Sequence, residues 1–270
     1  MSQFKETREF QKKFKKDIVE ILAVTGASGV GAGNAGKDIM WNASIQLIAW
    51  REINSRGPVI KEKTRLEWLV DDKEWKTSSK ILKANSIARL LVRRSEKSMM
   101  LVKVVELECK DNELEIILQE SLKPVYFFDE TLGKFKLDKT VNLFETKVRW
   151  ANEEGNLYFD WDEDNLVMNA SLNTAHVLFK DQENWNMKIR EYASEELLGL
   201  ANEWLQDNDE ANVNEITKDM IIALMKLDSI SVQPEGDFEI FFFDGDMFWG
   251  HCIIVRGNTK GEFFSADIAG

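Results

Sequence analysis

Two cysteines in 270 residues, Cys109 and Cys252, rule out a disulfide framework and a four-thiolate zinc site. Two histidines, His176 and His251, with no paired spacing, make no zinc site either. No run approaches the ~18 continuous apolar residues of a membrane helix. Residues 1–14 are charged where a signal peptide would carry its apolar block. Positive charge is scarce, with 35 Lys and Arg against 47 Asp and Glu and a net of −12, which argues against general phosphate-backbone binding. There is no internal repeat and no low-complexity tract. These absences lead us to expect a cytoplasmic protein with no membrane or nucleic-acid partner, no metal and no cofactor.

What is present is globular in composition, 44% hydrophobic and 30% charged. The charge is uneven. Residues 1–124 carry 23 basic and 18 acidic side chains, a net of +5, whereas 125–270 carry 12 and 29, a net of −17. Such asymmetry points to separate modules. Residues 121–124, Ser-Leu-Lys-Pro, supply the joint, because proline restricts its own backbone and that of the residue before it. We therefore expect domains at 1–124 and 125–270.

The first half opens with a predicted helix whose Phe4, Phe10, Phe14 and Ile18 lie near one face. Then Trp41, Ala43, Ile45 and Leu47 alternate with Asn42, Ser44 and Gln46, the period of a half-buried strand. Further strands are read at 65–70, 86–93, 99–106 and 113–119, with Lys110-Asp111-Asn112 as a turn before the last. About six strands imply a mostly-β module, a curled sheet or small barrel.

In the second half, strands are read at 134–137, 144–150 and 156–161. A helical block follows, with Trp185, Ile189, Tyr192, Leu197, Leu200, Ala201 and Trp204 in one stripe. Thr217 is the expected N-cap of a shorter helix through Met220, Ile221, Leu224 and Met225. Strands return at 238–243, 248–256 and 263–267. Strands, helices and strands again predict an α+β module, a mostly antiparallel sheet with helices on one face.

Glycines 26, 29, 31, 33 and 36 come close to three nucleotide-binding motifs. Residues 31–36 fit G-x-G-x-x-G, and 31–37 fit the phosphate loop as far as its lysine. Asp38 then stands where a magnesium-binding hydroxyl is needed, and the 41–47 alternation follows where a helix is needed. A short-chain dehydrogenase would need Tyr-x-x-x-Lys, and Tyr126, Tyr158 and Tyr192 have acidic residues four positions on. A glycine hairpin or flap is the expectation.

Asp160, Asp162 and Asp164 alternate as in a calcium loop, but Asn165 and Ser171 replace the glycine and glutamate an EF-hand requires. His251, near Asp244 and Asp246 and beside Cys252, has the residue types of a general base. Neighbours on a strand point to opposite faces, however, so His251 and Cys252 are poorly placed to bond each other. Nine tryptophans suit both core packing and binding hot spots.

The segment 132–137, the 144–150 strand, Ile189-Arg190-Glu191-Tyr192-Ala193 and the close from Phe248-Trp249-Gly250-His251 to Ala269-Gly270 resemble an uncharacterised bacterial domain-of-unknown-function family. Residues 41–50 are similar to the N-terminal part of its longer members. The resemblance implies a bacterial origin and a kinship with toxin-immunity-like domains, and it carries over no catalytic residue. The leading expectation is a non-enzymatic interaction protein whose acidic half recognises a basic protein, through Asp160, Asp162, Asp164, Asp207, Asp209 and Glu210. The alternatives are a hydrolase built on His251 with Asp244 or Asp246, under a lid at 26–36, and a small-ligand sensor.

Overall fold

The computed structural model describes residues 2–34, 36, 38–53, 57–78, 80–206 and 213–270. The chain divides into two compact units, Met1–Pro124 with Lys139–Val141, and Val125–Asp138 with Asn142–Gly270.

The first unit runs α1 (Gln3–Gln11), β1 (Val19–Thr25), β2 (Gly31–Gly33), β3 (Trp41–Glu52), β4 (Thr64–Val70), α2 (Asp72–Ser78), β5 (Ile87–Arg94), β6 (Ser98–Leu107) and α3 (Asn112–Leu122). The sheet order is β1-β5-β6-β4-β3-β2, and β1 also pairs with β3, so five strands close into a small barrel with β2 outside the ring. Only the β4–β6 pair in it is parallel. The alternation that predicted β3 puts Ala43, Ile45 and Leu47 inside, against Ile21, Ala23, Leu66, Leu90 and Val92. The expected mostly-β module is thus found as a barrel.

Three local readings change. Residues 113–119 form α3, not a strand. Glu113-Leu114-Glu115-Ile116 alternates like a strand, but the Asp111 carboxylate accepts the Leu114 N–H at 3.1 Å and caps a helix. That helix lays Leu114, Ile117 and Leu118 on Val24, Ala49 and Ile87 and leaves Ile116 in solvent. In α1, Phe10 is buried, and Phe14 just beyond the helix with it, but Phe4 is 79% exposed and Ile18 half exposed. The helix α2 between β4 and β5 was not anticipated. In the glycine segment, Gly31–Gly33 pairs with Ser44–Asn42 of β3, a hairpin in which a strand follows the loop.

The second unit runs β7 (Tyr126–Asp129), β8 (Gly133–Asp138), β9 (Leu143–Trp150), β10 (Glu153–Asp160), α4 (Asn165–Lys180), α5 (Gln182–Gln206), α6 (Lys218–Leu224), β11 (Lys226–Val232), β12 (Asp237–Phe243), β13 (Cys252–Asn258) and β14 (Phe263–Ala269). All eight strands lie in one sheet in chain order. Two antiparallel meanders meet at β10–β11, the one parallel pair, because the connection between them is the helical block. One continuous core joins Phe135, Phe144, Trp150, Phe159, Phe238 and Phe242 of the sheet to Leu172, Leu178, Ile189 and Ala193 of the helices. This is the α+β architecture expected. Thr217 Oγ1 accepts the Met220 N–H at 3.3 Å and caps α6 as read. Strands β7 and β11 escaped the sequence reading. Strand β13 begins at Cys252 rather than at 248, since Phe248–His251 belong to a turn. Among the described residues no helix is long and apolar enough to cross a membrane.

Candidate functional site

The turn between β12 and β13 is organised by Asp244. Its side chain is buried, and its carboxylate accepts the N–H groups of Phe248 (2.7 Å), Asp246 (3.1 Å) and Gly250 (3.2 Å). Asp244 is therefore a brace for the turn, with both oxygens engaged. Asp246, Trp249, Gly245 and Gly250 all sit at positive φ, which lets seven residues fold back within one tip. For Trp249 at φ +56°, a bulky side chain in this region is a strained conformation that the surrounding bonds must maintain.

The tip aligns aromatic rings from core to solvent. Phe248 is fully buried. Trp204, from the last turn of α5, meets it edge-on with ring centroids 5.6 Å apart, and meets His251 at 5.3 Å and Trp249 at 4.9 Å. Trp249 is outermost, 59% exposed. Glu203 beside Trp204 and Asp246 on the tip are exposed carboxylates.

The structure brings His251 to this cluster but not into a relay with Asp244. His251 Nδ1–H donates to the Phe248 carbonyl. The ring packs against Gly270, where an added Cβ would lie 2.8 Å from His251 Cδ2. Burial pushes the Cys252 thiol up, and the nearby Asp228 adds to this, the reverse of what an activated nucleophile needs. Asp244 is taken up by backbone N–H groups and Asp246 is exposed on the tip, so among the described residues neither carboxylate of the expected hydrolase arrangement is seen to bond His251.

Of the remaining acidic candidates, Asp162 and Asp164 bind backbone N–H groups at the start of α4. Asp164 Oδ1 accepts the Leu166 N–H at 2.8 Å at the start of α4, and Asp162 Oδ1 accepts the Asp164 N–H at 2.7 Å. Asp160 is exposed at the end of β10. Among the described residues no three His, Cys, Asp or Glu side chains group as metal ligands. Asp207, Asp209 and Glu210 lie outside the described residues, in the segment that directly follows α5.

Sequence reasoning missed the pairing of Trp204 with Trp249, which are 45 positions apart and share no pattern. It also missed Asp129, whose carboxylate lies 3.0 Å from His176 Nε2. The Asp-Gly pair at 244–245 was the one signal for the tip.

No curated protein matches this chain. Residues 6–121 match the model of a family described as a domain of unknown function, DUF7021. Residues 129–268, more than half of the chain, match that of DUF2262, described as an uncharacterized protein conserved in bacteria, and the chain belongs to that family.

Proposed function

We propose that this protein is a non-enzymatic interaction module of the bacterial cytoplasm, which captures a basic protein through the Trp249 tip. The observation that carries the reading is Trp249 itself, exposed and packed on Trp204 at a strained backbone angle. An exposed ring attracts an Arg or Lys side chain through its face. Asp246 and Glu203 add charge attraction, and the net −17 of residues 125–270 steers a cationic partner during encounter. Tryptophan is also the residue type most enriched among binding hot spots. A basic toxin held by an immunity-type protein is one partner of this chemistry. The exposed surface of Asp160 and the cap positions of Asp162 and Asp164 make them secondary contributors to the acidic field.

The test is capture from a native-host lysate by full-length protein, wild type and Trp249→Gly, washed at low and then high salt. Glycine accepts the positive φ, so this variant removes the ring without adding strain. Capture of a basic protein that salt releases and that the variant loses supports the reading. Equal capture by both proteins overturns it.

A further inference from the structure

Helix α4 leaves an outer face that carries almost no charge. Among its residues, Asn165–Lys180, the last is the only Lys, Arg, Asp or Glu. Its inner side, with Met168, Leu172, Ala175 and Leu178, joins the core of the second unit. On the outer side Leu166, Ala170, Asn173, Val177 and Lys180 follow one another at spacings of four, three, four and three. That repeat keeps one side of a helix turned toward a partner helix. Leu166 is 75% exposed and Val177 46%. A surface helix ordinarily carries charge there, and α5, packed next to α4, does so with Glu183, Lys188, Glu191, Glu195 and Glu196.

The two ends of the face identify what fits it. Glu163 stands exposed just before α4, beside Asp162 and Asp164, and Lys180 is exposed at the far end. A two-fold axis crossing the helix between Ser171 and Leu172 lays a second α4 antiparallel on the first. Leu166 then faces Val177 of the second copy, Ala170 faces Asn173, and Lys180 faces Glu163, each pair occurring on both sides of the axis. Apolar meets apolar, the small Ala170 leaves room for the Asn173 amide, and opposite charges meet at both ends. A parallel arrangement would instead set Glu163 on Glu163 and Lys180 on Lys180. Residues 125–270 carry a net of −17, and here two copies touch without bringing like charges into contact. A basic partner, by contrast, would find no carboxylate along the middle of this face.

We propose that α4 pairs antiparallel with α4 of a second copy, which makes the protein a reversible homodimer. None of these residues belongs to the Trp249 tip. The contact is about 24 Å long and one helix wide. That is less than the roughly 800 Å² per partner of a standard interface, so association should be half complete at on the order of tens of micromolar.

Sedimentation equilibrium of the full-length protein tests it. The mass should rise with concentration from 31.2 kDa toward twice that value. Lys180→Glu and Glu163→Lys, both at exposed positions, should each weaken association about tenfold, because each sets like charges together at both ends of the pair. The double variant restores opposite charges and should return to within about threefold of wild type. Val177→Glu, which puts a carboxylate against Leu166 of the second copy, should leave monomer only. Far-UV circular dichroism of each variant verifies that the helices are intact. A constant 31.2 kDa up to about 500 μM, a dimer that none of these variants weakens, or a double variant no tighter than the singles would each overturn the proposal.

Discussion

Arg190 on α5 and Glu153 at the start of β10 form a buried ion pair that fastens the helical block to the parallel junction of the sheet. One guanidinium nitrogen bonds Glu153, and another donates to the carbonyls of Ile222 and Met225 at the end of α6. Nε reaches Asn186 at 3.0 Å, and the guanidinium plane lies 4.9 Å from the Phe242 ring. The second oxygen of Glu153 accepts the Leu227 N–H of β11 at 2.6 Å. Five elements, α5, α6, β10, β11 and β12, thus meet at one charge pair. Burial pulls the Arg190 pKa down, against which Glu153 pulls it up.

Glu153→Gln should therefore be severe, because it leaves a buried guanidinium uncompensated, at a cost of about 3–5 kcal/mol. Arg190→Met should cost less, since Glu153 is one-third exposed and can rehydrate, while the methionine keeps part of the packing. Urea unfolding of both variants checks the order. A milder effect for Glu153→Gln than for Arg190→Met would contradict the account.

Asp111 does two jobs at the start of α3, accepting the Leu114 N–H and pairing with Arg51. Asp111→Ala should lose about 1–3 kcal/mol, the cap plus the stranded half-buried arginine. Asp111→Asn keeps a cap acceptor and removes only the charge, so it should fall between wild type and alanine. Thermal melting at low and high salt separates the parts, because only the gap between wild type and asparagine should narrow with salt. Alanine and asparagine variants of equal stability would show that the cap contributes nothing.

These residues also mark how far the sequence could be read. The period-2 run at 41–47 and the Thr217 cap were legible because each is decided within a few neighbouring residues. The helix at α3 was not, since Glu-Leu-Glu-Ile satisfies both periods, and the Asp111 cap with the burial of Leu114 against Val24 and Ile87 decides between them. Phe248-Trp249-Gly250-His251 has strand composition, yet three N–H bonds to one Asp244 carboxylate turn it into a tip. Of the site, His251 and Asp244 could be picked out by residue type, but their engagement with backbone could not. The exposure of Trp249 depends on a group distant in the chain, Trp204.

Asp129 gives the pH test. Burial alone would raise its pKa, but the Leu132 N–H at 2.8 Å, His176 and the Thr131 N–H at 2.9 Å outweigh it, and the value lies below the ordinary one. A carboxylate with a depressed folded-state pKa stabilises the fold at pH values above its unfolded pKa, about 3.9, and this is lost as pH falls through the folded value. Asp129→Asn should thus be less stable than wild type by about 1–2 kcal/mol at pH values above the ordinary carboxylate range. The gap should close as the wild-type carboxylate takes up its proton in acid. Urea midpoints of both proteins measured from pH 5 down to pH 2 follow it. A gap that stays constant through that window would mean that Asp129 acts by shape and not by charge.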